Sequence, residues 1–234
     1  MATSNPGSPR CARRATGWLR TSSCGSSSPA TPFPDLERWA APVLERSELC
    51  AIDLSGDDGA QPIAAFRGIC RAARRRGLRL KAHVGEWGDA DSVKEAVETL
   101  DLDEVQHGIS AVRSPAVLRW LADHRIQLNL CPTSNVMLGR VPRLEDHPIR
   151  RLVDAGVPVT INTDDVLVCG SGFSDELLSV FRAGLLGARE FDRIRRRGLT
   201  SRGRDDAAGD RGPVGAGLVV RWVKGGVEQR RPLR

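Results

Sequence analysis

Between residues 48 and 197 the pattern of apolar and polar positions changes rhythm again and again. "LCAIDLSG" (49–56) is a short apolar run closed by glycine and predicts a strand. "QPIAAFRGICRAARRRG" (61–77) reads as a helix, with Pro62 near its start and Gly77 at its stop. "LRLKAH" (78–83) alternates and predicts a second strand, and "DSVKEAVETL" (91–100) a helix in which Ser92 and Glu95 have capping-box spacing. The same alternation continues through strand "DEVQHG" (103–108), helix "SPAVLRWLADH" (114–124) and strand "IQLNLC" (126–131). Helix "HPIRRLVDAG" (147–156), strand "VPVTINT" (157–163) and helix "SDELLSVFRAGL" (174–185) complete it.

Five strand–helix units in succession imply parallel strands joined by crossover helices. An open doubly wound sheet and a (β/α)8 barrel of the TIM type both satisfy that pattern. No GxGxxG follows the first strand and no P-loop occurs, so a nucleotide-phosphate fold lacks its usual marker. Polar residues gather just beyond the strand C-termini: Gly56 and Asp57, His83 to Glu86, His107, Cys131 to Asn135, Asp164 and Asp165. A (β/α)8 barrel places its chemistry on that rim, and this decides for the barrel.

The ends of the chain differ from this body. Residues 1–34 are rich in Ser, Pro, Gly and Arg, with no acid before Asp35, and cannot bury enough apolar surface to offset their ordering entropy. The expectation is a disordered or divergent segment over 1–47, a barrel portion over 48–197 and an Arg/Gly-rich tail over 198–234. Within the tail, "GLVVRWV" predicts a marginal strand with no partner in view. The formal charge of +6 sits in these ends, because residues 48–197 carry 21 basic and 22 acidic side chains. A nucleic-acid footprint would be a basic face on the folded body, so no nucleic-acid partner is expected. No apolar run approaches the roughly 20 residues that cross a bilayer, so no membrane partner is expected either. Six cysteines without paired spacing read as reduced thiols in a cytoplasmic protein.

The candidate chemistry lies on the rim. His83 ends a strand, and Gly85 lets the chain turn sharply enough to return Glu86 to the mouth, although residues three apart on a continuing strand face opposite sides. Imidazole and carboxyl could then share one site as metal ligand and acid or base. His107 ends the next strand, and Asp164 and Asp165 end the fifth. Each has a plain structural reading as well: histidines at strand ends are commonly caps, and paired aspartates form turns. His124 ends one helix and His147 opens another, and neither receives a role.

Residues 48–197 resemble the adenosine deaminase family of metal-dependent (β/α)8-barrel hydrolases. "AHVGE" is similar to the family's HAGE, "VQHG" to its GHG, "CPTSN" to its CPTSN and "NTDDV" to its NTDDP. "IDLSGDD" resembles its DLAGDE, and "HPIRRLVDAGV" the helix before the last strand. The resemblance implies zinc, held by His83 and Asp164, with its bound water brought to a pKa near ~7. It implies that Glu86 protonates a purine ring nitrogen, that His107 orients the water and that Asp164 helps deprotonate it. Asp165 and the backbone amide of Gly56 would meet two further ring nitrogens. The implied reaction is hydrolytic deamination of a 6-aminopurine, adenosine to inosine and ammonia, with a purine nucleoside or nucleobase as partner.

Two departures shape the expectation. The family's HxH ligand pair has no counterpart, since the chain holds four histidines and the first is His83. The matching region begins near the family's fourth strand, so about five βα units are expected, with open sheet edges suited to a complementing fragment or to self-association. The coincidence of family-like signal with balanced charge points to a truncated or frame-shifted ancestral deaminase of impaired activity. The alternative is a non-catalytic purine-binding or structural remnant.

Overall fold

The computed structural model describes residues 40–42, 44–45, 49–56, 62–206, 216–223 and 226–228. Most of the leading segment, and the remainder of the tail, lie outside the described residues. Ala40 and Leu44, in short helical stretches, are buried in the core.

The five predicted strands form as β1 (Leu49–Gly56), β2 (Arg79–Val84), β3 (Glu104–His107), β4 (Gln127–Leu130) and β5 (Val159–Ile161). Each pairs in parallel with the next, in chain order. Between them lie α1 (Arg67–Arg75, preceded by a 3-10 turn over Ile63–Phe66), α2 (Ala90–Leu100), α3 (Pro115–Asp123), α4 (Pro132–Met137) and α5 (Ile149–Asp154). After β5 come α6 (Val166–Cys169), α7 (Phe173–Arg182) and α8 (Ala188–Asp206).

Strand alternation separates two chemically different faces. On β2, Leu80, Ala82 and Val84 are buried in the hydrophobic core with Ile69 and Ala73 of α1 and Val93, Ala96 and Val97 of α2. Arg79, Lys81 and His83 take the other face. There Glu104, 2% exposed, pairs with Arg79 and with Lys81 Nζ (3.0 Å), and Asn129 Nδ2 donates to it at 2.8 Å. Thr160 Oγ1 donates to Asn129 Oδ1 at 2.7 Å. The interior of a (β/α)8 barrel is usually filled by branched apolar side chains; this inner face is instead a hydrogen-bonded polar layer.

Two local expectations are corrected. The capping box of α2 joins Asp89 and Ser92, not Ser92 and Glu95: Ser92 N donates to Asp89 Oδ1 (2.8 Å) and Asp89 N to Ser92 Oγ (3.0 Å). The helix starts at Ala90, one residue earlier than expected, so Ser92 occupies the third helical position rather than the cap. The second correction concerns "GLVVRWV", which does find a partner. As part of β6 (Ala216–Val223) it pairs in parallel with β1, and β7 (Gly226–Glu228) pairs antiparallel with β6. The sheet order is β5-β4-β3-β2-β1-β6-β7. The pairing covers backbone groups that β1 would otherwise present unpaired along the side away from β2. Nothing local in a sequence reports a partner so far along the chain.

Candidate active site

The rim at the strand C-termini is shaped by two glycine turns. Gly85 has φ 72°, and a Cβ there would overlap Val93 Cγ2 and lie 2.7 Å from Ser110 Oγ. Only glycine accommodates that turn, which carries Glu86 back over the end of β2. At the end of β3, His107 itself has φ 62° and Gly108 φ 66°. The left-handed backbone ends the strand's alternation at His107, and the imidazole lies against His83 with ring centroids 5.3 Å apart.

The predicted residues assemble unequally. His83, His107 and Asp164 line one cavity of about 750 Å³, together with Cys131 and Asn162 and the polar inner face below them. Glu86 stands beside His107, its Oε1 3.4 Å from His107 Nδ1. Asp164 accepts a hydrogen bond from Ser134 Oγ at 2.6 Å. Asp165 is solvent-exposed and caps α6, its Oδ1 accepting from Leu167 N (2.9 Å) and Val168 N (3.1 Å). Gly56 ends β1, and residues 57–61, which follow it, lie outside the described residues. Neither Asp165 nor Gly56 belongs to the cavity wall.

Electrostatics give the groups distinct proton affinities. Burial, reinforced by the Asp164 charge, pushes Glu86 up from the usual carboxylate range to about 6. Burial, reinforced by His83, pushes His107 down to about 4, so it is neutral at pH 7. For His83, burial acts downward but is outweighed by the hydrogen bond to Asp53, the Asp53 charge, the Leu54 carbonyl and Asp164, and its pKa rises. Burial and the carboxylates of Asp164, Glu176 and Glu86 hold the Cys131 thiol far above its ordinary range, so it stays protonated.

Four residues here received no individual role from the sequence. Asp53 Oδ1 lies 3.3 Å from His83 Nδ1, and its Oδ2 accepts from Gln106 Nε2 at 2.8 Å. Asn135, fully buried, donates from Nδ2 to Glu86 Oε1 at 2.8 Å. Ser134 holds Asp164 as described. His147, 2% exposed, lies with Nε2 3.2 Å from Asn135 Oδ1. Asp53 and the Ser134–Asn135 pair fall within the motif-like stretches "IDLSGDD" and "CPTSN", which were signal enough to find them. For His147 a helix-opening histidine gave none.

The family profile of the adenosine deaminases matches residues 27–207. The chain belongs to the adenosine deaminase family. A Treponema pallidum (strain Nichols) protein whose name places it among adenosine/adenine deaminases is 45% identical over 151 residues, covering 64% of this chain and 50% of that protein. The crystal structure of an adenine deaminase from Arthrobacter aurescens superposes with a TM-score of 0.65 at 27% identity, covering 70% of this chain and 50% of the other. The parallel sheet is therefore part of a deaminase-type (β/α)8 barrel, and the chain spans about half the length of the curated relatives it matches. An amidohydrolase structure from Burkholderia ambifaria, with bound Zn, shares the fold at 21% identity and a TM-score of 0.53, covering 73% of this chain and 55% of that one.

His83 and Asp164 face the same cavity, but among the described residues no three His, Cys, Asp or Glu side chains converge to hold a metal ion. Catalytic zinc generally takes three ligands from protein, so the described residues do not make a complete zinc site. No helix among the described residues is long and apolar enough to cross a membrane.

Proposed function

We propose that residues 48–197 carry the chemistry of a hydrolytic aminopurine deaminase of the cytoplasm, converting adenosine or a related 6-aminopurine to its 6-oxo product and ammonia. The observation that carries this reading is Glu86. Attack of water at C6 of a purine requires a proton on the adjacent ring nitrogen, and only an acid with a raised pKa can hold that proton at neutral pH. Glu86, pushed to about 6, holds a proton at neutral pH far more readily than an ordinary carboxylate, with its Oε1 accepting from Asn135. Neutral His107 orients the attacking water, and Asp164, held by Ser134, accepts a proton from it. Asp165 and the Gly56 amide are assigned to the remaining ring nitrogens.

Among the described residues His83 and Asp164 would hold a zinc ion, and further ligands would come from outside the described residues or from a complementing fragment docked along an open sheet edge. The isolated chain is expected to show little or no turnover. The incomplete donor set among the described residues favours a second reading for the chain alone, a purine-binding barrel portion without catalysis.

Isothermal titration of the folded chain with adenosine and with adenine, alongside zinc stoichiometry after dialysis, tests both. Purine binding that weakens at least tenfold in Glu86→Gln supports the site. Zinc retained near one per chain, with ammonia release, refutes the non-catalytic reading. Folded protein that binds neither purine removes the proposal.

A further inference from the structure

We infer that His147 is a positioning residue whose hydrogen bond to Asn135 sets the donor–acceptor polarity at both Glu86 and His107, placing the His107 proton on Nε2. Any catalytic consequence rests on the deaminase reading; the tautomer itself does not.

One hydrogen-bonding group in this cluster cannot reverse its direction. The backbone N–H of Ile149, at the start of α5, points at His147 Nδ1 from 3.2 Å. A backbone amide nitrogen only donates, so His147 Nδ1 must be the acceptor. His147 is neutral, its pKa lowered to about 4 chiefly by burial, and a neutral imidazole has one donor and one acceptor nitrogen. Its proton therefore sits on Nε2, which donates to Asn135 Oδ1 at 3.2 Å. With its oxygen fixed toward His147, Asn135 turns its NH2 group the other way. One hydrogen goes to Glu86 Oε1 at 2.8 Å and the other faces His107 Nδ1 at 3.3 Å. The Asn135 NH2 group can only donate, so His107 Nδ1 accepts and its ring proton sits on Nε2.

The relay resolves a conflict at the site. Glu86 Oε1 and His107 Nδ1 are 3.4 Å apart, and both are acceptors in this arrangement. One amide group supplies a hydrogen to each, so the two can sit side by side without a proton between them. His107 then has a single polar hydrogen, on Nε2, to offer to the cavity it lines. His107, Asn135 and His147 are each at most 2% exposed, so no competing water is needed to satisfy the relay, and a reversed amide would leave buried groups without partners.

Two conservative variants separate relaying from helix capping. Gln at 147 can reproduce the Nε2 donor but not the Nδ1 acceptor; Asn can reproduce the acceptor near Ile149 but cannot reach Asn135. Ring 15N shifts of His107 in histidine-labelled protein report the tautomer, and His107→Gln assigns the resonance. The parent protein and His147→Gln should show His107 predominantly as the Nε2–H form. His147→Asn should lose that preference by about fivefold, the bias expected of one net hydrogen bond. Thermal unfolding verifies that each variant is folded. An Nδ1–H tautomer in the parent, or an unchanged His107 tautomer in folded His147→Asn, overturns the inference. Both outcomes are independent of whether the chain binds purine.

Discussion

Replacing Gly85 by alanine is the sharpest test of how this rim is built. The backbone at Gly85 is left-handed, φ 72°, which costs an L-residue about 1–2 kcal/mol. The new methyl would overlap Val93 Cγ2 and approach Ser110 Oγ to 2.7 Å and Gly108 Cα to 3.3 Å. Val93 is fully buried in the core, so relief requires moving α2 or the turn, a further cost of about 1–3 kcal/mol. Alanine recovers about 0.4–1 kcal/mol by restricting the unfolded chain. The net expectation is a loss of about 2–4 kcal/mol, a large share of the 5–15 kcal/mol typical of a domain. Equilibrium urea unfolding followed by circular dichroism measures it, with an unchanged m value confirming that stability alone has moved. A double variant with Val93→Ala removes the overlapping methyl, so the two changes together should cost about 1 kcal/mol or more less than their sum. A loss below about 1 kcal/mol, or strict additivity, would refute the steric account.

Two further expectations follow from the site and the sheet. Because the folded pKa of Glu86 is raised above its unfolded value of 4.5 to about 6, the fold favours the protonated form: its contribution is fully present below pH 4.5 and is lost as pH rises through 6. Glu86→Gln should therefore be more stable than the parent at pH 7, by about 2 kcal/mol, and indistinguishable near pH 4; equal stability differences at both pH values would contradict the burial of that carboxyl. Deleting residues 207–234 removes β6 and β7 and uncovers the outer side of β1, so size-exclusion chromatography with light scattering should show self-association absent from the full chain; a well-behaved monomer would mean that β1 needs no cover.

Much of this protein was legible without coordinates, because its signals are local. Alternation with period two and helical spacing depend only on neighbouring residues, so the five strands and the main helices between them sit within a few residues of their predicted places. Short α4 and α6 carry too little periodicity to announce themselves, and α8 hides behind a charged, glycine-interrupted sequence, "AREFDRIRRRGLTSRGRDD". The motif-like stretches marked the rim because the topology brings consecutive strand ends to one place. Tertiary structure alone decided the rest. The pairing of β6 with β1 joins segments with no local relation. The polar inner face emerges only when Arg79, Lys81, Glu104 and Asn129, unremarkable apart, are stacked on adjacent strands. Asp165 also caps a helix, its carboxylate meeting two amides of the following turn, a contact set by backbone direction rather than by composition. His147 looked like a helix-opening residue, and its weight at the site comes from a contact with Asn135 across the fold. Periodicity fixes which face a side chain takes; only packing fixes what it meets there.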